Sequence, residues 1–315
     1  MDGIINVYKE RGFTSHDVVA KLRGILRMKK IGHTGTLDPD ACGVLPVCLG
    51  HATKVCELLT DKRKTYEAVL LLGRETDTQD VSGQTLNEKE VNVTEEEVRR
   101  VIAGFLGDQM QVPPMYSALK VDGKKLYELA REGKVIERKA RPVTFYELEI
   151  LAMELPRVRI RVTCSKGTYI RTLCHDIGQA LGCGGCMEEL LRTYVEPFAL
   201  ETSLTLAQIQ QLADEGRVEE ILCPVEHLFA DMPACRIRSE FSKYMYNGNP
   251  LKAQWVEIMA DQPDVADGIA CDGVASQKDP IPKIRLYTEQ NIFFGIYEYQ
   301  QDRRQYKLKK MFYGG

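Results

Sequence analysis

GHTGTLDPDACGVLPVCLG, residues 32–50, is the stretch on which the reading of this chain turns. Gly32, Gly35 and Gly43 flank an Asp38-Pro39 pair, and Pro46 follows. Residues 32–46 have no period of their own and too many breakers for a helix, so they are expected to form a loop. Pro39 fixes the φ angle after Asp38, and Gly43 allows another backbone or a ligand to come close. The expected product is a stiff turn that presents one carboxylate. Loops this dense in special backbone residues often carry chemistry. A lone Asp-Pro turn is more often structural, its Asp closing an Asx turn or capping a helix.

Upstream, Thr14 and Ser15 precede Val18, Val19, Leu22, Ile25 and Leu26, which is helical spacing behind good cap residues. Lys21, Arg23, Arg27, Lys29 and Lys30 fall between and just after those apolar positions. Downstream, residues 65–73 read as a strand. Thr94-x-x-Glu97 is a capping box ahead of Val98, Val101, Ile102 and Phe105, with Gly107 closing the helix. Residues 143–151 and 157–164 alternate as strands, placing Val158, Ile160 and Val162 on one face. Helices are expected over 169–181, ending at Gly182, and near 204–213. Asp231-Met232-Pro233 marks a boundary near 231–236. Beyond it, apolar runs such as Ile292 to Tyr299 and Tyr306 to Phe312 are separated by Asp/Gly/Pro stretches at 261–273 and 278–282. The pattern gives an α+β domain followed by a small β module.

The totals agree with this division. A chain of 315 residues accommodates two domains. Its net charge of −3 does not suggest nucleic-acid binding, but binding responds to local patches. Residues 21–30 carry five cations and no acid, whereas 211–220 hold Asp214, Glu215, Glu219 and Glu220 against Arg217. The ten cysteines read as free thiols in a reducing cytoplasm. The opening MDGIINVYKERG does not read as a signal peptide, and no 18-residue apolar stretch suggests a membrane span. Cys183-Gly-Gly-Cys186 lacks a second pair or a His pair to complete a zinc site, so its glycines read as turn residues. There is no Walker A or dinucleotide fingerprint. Asp38 and Asp40 are poorly placed for a glycosidase pair, whose carboxyls ordinarily come from different elements.

The 32–50 stretch closely resembles the signature of the bacterial TruB family, the tRNA pseudouridine-55 synthases, through His33, Gly35, Leu37, Asp38, Pro39, Gly43, Leu45 and Pro46. KTY at 64–66 with GRETDTQDVSG at 73–83, MYSALKVDGKKLYELAREG at 115–133, RPVTFYELEI at 141–150 and CSKGTYIRTLCHDIG at 164–178 are similar to further motifs of that family. NGNP at 247–250 is the best anchor in the C-terminal part. Glu196 and Cys174 depart from the pattern, where Gly and Ala are expected. The resemblance implies a pseudouridine synthase fold, a mixed and largely antiparallel sheet flanked by helices, over residues 1–232, with an inserted RNA-contacting segment at about 74–130. It further implies a small PUA-like RNA-binding β domain over 233–315.

The resemblance makes Asp38 the catalytic residue, Tyr66 the ring against an extruded base, Tyr169 and Arg171 an active-site Tyr and its Arg partner, and Leu190 an apolar cover over the base. His33 would bond the RNA or fill the space the base leaves. The reaction breaks the C1′–N1 bond, turns the base and joins C5 to C1′; it needs no cofactor and no metal. One ionised carboxylate suffices, and an Arg within hydrogen-bond reach favours the charged form. Three roles stay open for Asp38: addition to the base, attack at C1′, or removal of the C2′ proton. A stacked target base must swing into a pocket, and a stacking face for it contributes ~1–3 kcal/mol. Lys9, Lys21, Arg23, Arg27, Lys64, Lys120 and the Lys124/Lys125 pair would meet backbone phosphates. The expected partner is the T-stem-loop of tRNA, with no membrane, no obligatory protein partner and a monomeric state. The rivals are a guide-RNA-dependent synthase of the related archaeal and eukaryotic branch and a non-catalytic RNA-folding protein. The inserted segment and the lack of a Lys-rich tail favour the stand-alone enzyme, and the intact Asp38, Tyr66 and Arg171 argue against a dead one.

Overall fold

A computed structural model of the chain describes residues 1–121, 123–259 and 281–313. It divides into two compact units, one of residues 6–47 and 56–218, the other of residues 1–5, 48–55 and 219–315. The larger sheet runs, in spatial order, through Gly3–Lys9, Cys42–Leu49, Gly185–Val195, Lys64–Leu72, Arg157–Cys164, Arg141–Glu154 and Gly107–Gln111. Gly185–Val195 pairs parallel with Cys42–Leu49 and antiparallel with Lys64–Leu72, and the pairs beyond it are antiparallel. The sheet is therefore mixed and largely antiparallel.

One expectation needs correction here. Residues 42–46, placed in the loop, begin a strand in which every residue from Gly43 to Leu49 is buried. A strand covered on both faces shows no period-2 alternation, which is why it was not visible in the sequence.

Val158, Ile160 and Val162 are fully buried and share a core with Tyr66, Ala68 and Leu70 of the neighbouring strand. On the opposite face Arg157, Arg159 and Arg161 pair with Glu188, Glu189 and Glu67. The apolar face is covered by helix Ile170–Ala180 through Ile170, Leu173, Cys174 and Ile177. Gly178 permits this approach, because a Cβ there would collide with the backbone of Gly184 and Gly185. Cys183, in the turn, and Cys186, at the start of strand Gly185–Val195, are free thiols. Cys174 fills core space, and Glu196 pairs at the surface with Lys62.

Helix Glu95–Ala103 starts at the Thr94–Glu97 capping box and adds Val98 and Ile102 to the same core. Its C-cap is Gly104, not Gly107; Gly107, at φ +90°, opens the edge strand instead. Helices Ser15–Ile25 and Leu206–Asp214 also begin at capping boxes, on Thr14 and Thr205.

The second unit carries a six-stranded sheet in the order Leu251–Lys252, Gln305–Met311, Phe293–Gln300, Lys283–Tyr287, Ala234–Ile237 and Val256–Ile258. Ile237, Met245, Ile284, Leu286, Phe294 and Tyr297 form its core. NGNP at 247–250 is the turn after a short helix, with Gly248 at φ +68°. The 261–273 stretch and residues 278–280 lie outside the described residues. No helix among the described residues is long and apolar enough to cross a membrane.

Candidate active site

The turn that carries Asp38 is fixed from several sides. Ser15 Oγ, at the start of its helix, accepts from Leu37 N at 2.9 Å and donates to Leu37 O at 3.3 Å. Ala41 N donates to Asp38 O at 3.1 Å and Gly12 N to Pro39 O at 3.0 Å. Lys9 is fully buried, and its Nζ donates to the carbonyls of Glu10 and Pro39 at 3.1 Å and of Ala41 at 2.5 Å. An ammonium that three carbonyls satisfy is a brace for the turn. Arg192 completes the support, with Nε donating to Val44 O at 2.7 Å and Nη2 to Gly35 O at 3.2 Å.

Held in this way, the Asp38 carboxylate caps no helix. It faces Arg171, whose Nε lies 3.1 Å from Oδ2. The side chain of Arg171 is 7% exposed and that of Asp38 43%. The carboxylate is thus partly open to solvent while its arginine partner is buried. Arg171 is itself aimed by Thr78 O at 3.2 Å and Tyr116 O at 2.9 Å. A second carboxylate, Asp80, approaches Arg171 Nη1 at 3.5 Å. Asp80 also organises its own turn, accepting from Thr78 Oγ1, Ser82 N and Ser82 Oγ. One guanidinium is shared between two acids. Burial raises the Asp38 pKa, Arg171 and Lys9 oppose this, and Asp80 and Asp40 add to it; the net displacement is upward. An isolated Asp–Arg pair would give the opposite sign.

Tyr66 and Tyr169 stand within the electrostatic reach of Asp38. Tyr66, on strand Lys64–Leu72, is buried, and burial raises its phenol pKa. Tyr169 is the N-cap residue of the helix that carries Arg171. Gln111, at the end of the edge strand, accepts from Tyr169 N at 2.8 Å and donates to Tyr169 O at 3.0 Å. Burial raises the Tyr169 phenol as well. Leu190, opposite Ala68 in the ladder, joins the apolar cluster that holds Leu37 and Tyr66. His33 meets His16 edge to face at 5.3 Å, and its Nδ1 is buried without a hydrogen-bond partner. Burial lowers its pKa to about 4, helped by His16 and Arg192, so the ring is neutral at pH 7.

The structure therefore brings Asp38 against Arg171, with Tyr66 and Leu190 in one apolar cluster and Tyr169 at the start of the Arg171 helix, while His33 packs on His16. It does not place all the predicted phosphate-contacting cations at the surface. Lys9 and Lys64 point inward; Lys64 Nζ donates to Thr60 O at 2.8 Å and Lys62 O at 2.9 Å, and burial lowers its pKa to about 8. Lysine reveals its charge in a sequence but not its direction. Lys21, Arg23, Arg27 and Lys120 are exposed. Asp80, Gln111 and Arg192 were not singled out in the sequence. Asp80 lies inside the 73–83 motif, where its spacing from Thr78 and Ser82 is a turn signal. Among the described residues no group of three His, Cys, Asp or Glu side chains could hold a metal ion.

The site is thus one carboxylate on a braced turn of a mixed sheet, with an arginine against it. Residues 23–170 match the TruB family pseudouridylate synthase N-terminal domain, and residues 171–230 the tRNA pseudouridylate synthase B C-terminal domain. The tRNA pseudouridine synthase B of Lachnoclostridium phytofermentans is 53% identical over 320 residues, covering 99% of this chain and 100% of that protein. That of Alkaliphilus oremlandii is 49% identical over 256 residues, covering 81% of this chain and 85% of that one. Among solved structures, Cbf5 in a Cbf5-Nop10-Gar1 complex superimposes with a TM-score of 0.71 at 28% identity, covering 99% of this chain and 85% of that one. The chain belongs to the TruB family of pseudouridylate synthases.

Proposed function

We propose that the chain isomerises uridine 55 in the T-loop of tRNA to pseudouridine, with Asp38 as the catalytic group. The observation that carries the reading is the Asp38–Arg171 ion pair at 3.1 Å, half open to solvent and within reach of two tyrosines. A carboxylate already paired and desolvated on one side can act on a sugar or base without reorganising its surroundings. The extruded uracil would rest against Tyr66, with Leu190 and Tyr169 at its edges and neutral His33 near the space it leaves. Lys21, Arg23, Arg27 and Lys120 would meet phosphates. Residues 1–232 would serve as the catalytic domain and 233–315 as an RNA-binding module, acting on tRNA in the cytoplasm without a guide RNA or a protein partner. The relatives named tRNA pseudouridine synthase B are far closer in sequence than the protein of the Cbf5-Nop10-Gar1 complex, and this favours the stand-alone reading. The test is incubation of the purified chain with an unmodified T-stem-loop, followed by mapping of the modified position. Modification at position 55 without added RNA or protein supports the reading; a requirement for a guide RNA, or no turnover, refutes it.

A further inference from the structure

Arg192 is the largest of the side chains buried below 2% exposure, and it is itself 1% exposed. A buried charge is expensive unless a counter-charge meets it. Arg171 has two carboxylates, at 3.1 and 3.5 Å. Among the described residues Arg192 has no carboxylate in ion-pair reach. Its hydrogen-bond partners are neutral, the Val44 and Gly35 carbonyls, and Tyr66 stands opposite it in the ladder. Nearby titratable groups yield to it, since His33 and Lys64 both have depressed pKa values, with burial first and Arg192 among the causes.

Its place in the sheet explains what it reaches. In the ladders Arg192 stands opposite Tyr66 on one side and Gly43 on the other. Gly43 sits at φ +107°, and a Cβ there would run into the Arg192 carbonyl, so the two strands meet closely at this point. The guanidinium then bonds Gly35 and Val44, which bracket the turn bearing Asp38. A planar fork whose donors sit on three nitrogens can hold two carbonyls that stand apart, a span that lysine's single nitrogen lacks.

We propose that Arg192 is a positioning residue for the reaction, setting the separation between the Asp38 turn and the Tyr66 phenol without touching the substrate. The proposal rests on the reading of Asp38 and Tyr66 given above. It accounts for a buried cation kept without a counter-ion: a carboxylate there would draw the fork away from the two carbonyls.

The test uses the full chain with an unmodified T-stem-loop. Wild type and Asp38→Asn are run alongside, so that a failure of the assigned reaction is seen separately. Arg192→Lys and Arg192→Met are made, each alone and with Tyr66→Phe, and their melting is followed. The expected result is folded variants with kcat down about 30-fold or more for Met, partial recovery for Lys, and KM within about threefold. Tyr66→Phe should then cost markedly less in the Met background than in wild type, because coupled groups are not additive. Turnover within about threefold of wild type in both variants would overturn the proposal, as would full additivity with Tyr66→Phe. If neither variant folds, Arg192 belongs to the stability of the core, and the proposal is equally overturned.

Discussion

Two buried arginines flank the Asp38 turn, and they are opposites. Arg171 lies on the side from which Asp38 is open to solvent and is compensated by Asp38 and Asp80. Arg192 lies on the closed side, donates to two backbone carbonyls and stands opposite Tyr66 in the ladder. The first arrangement tunes a charge; the second fixes a backbone. The contrast separates two demands on one turn, a reactive group whose ionisation must be set and a scaffold that must not move.

The largest break in this contrast should come from Asp38→Asn. It removes the reactive group while leaving an isosteric partner for Arg171, so kcat should fall by about 10⁴-fold or more, with tRNA affinity within about tenfold. Single-turnover kinetics beside a filter-binding titration would check both values, and appreciable turnover would remove Asp38 from the chemistry. Arg171→Lys comes next, with a loss of about 10²-fold in kcat, because a single ammonium nitrogen cannot span Asp38 and the Thr78 and Tyr116 carbonyls, which three guanidinium nitrogens reach.

Asp80→Asn sharpens the comparison, because it makes the open side more like the closed one. Removing a like charge lowers the Asp38 pKa. The acid limb of kcat/KM should therefore move to lower pH, with kcat down about tenfold as the 76–82 turn loosens. An acid limb that moved upward would contradict the shared-guanidinium account.

On the closed side the expected effect is one of stability. His33 has a folded pKa of about 4 against an ordinary 6.5. The unfolded chain binds the extra proton between these values, so stability is fully present above about pH 6.5 and declines as pH falls toward 4. The amplitude is about 2 kcal/mol after allowance for the partial exposure of the ring. Urea titrations across that window on wild type and His33→Asn would show it, and equal slopes would count against it. The smallest effect belongs to the helix surface. Alanine at Lys21, Arg23 and Arg27 together should weaken all tRNAs alike and reduce the salt slope of binding by about 2 to 3.

Much of the open side was legible in the sequence. Asp38 stands among glycines and prolines that only a special backbone requires, and Tyr66, Tyr169 and Arg171 stand in long motif strings. The closed side was not. Arg192 lies on a strand among Glu188, Glu189 and Thr193, where a cation reads as solvent-facing. Lys9 and Lys64 read as phosphate ligands for the same reason. Inward-pointing charge is decided by carbonyls, from distant turns for Arg192 and largely for Lys9 and from the preceding turn for Lys64, and those pairings have no sequence period. The 42–49 strand was hidden because burial on both faces removes alternation.

The clamp of Gln111 on Tyr169 has a consequence for the edge of the sheet. Strand Gly107–Gln111 has a neighbour on one side only, and such strands are prone to slip along their partner. A slip of one residue would bring exposed Met110 or Val112 to the place of Gln111 and strip the Tyr169 peptide of both its bonds. A single amide thus proofreads the alignment of the outermost strand, and a misaligned edge cannot coexist with an assembled cleft.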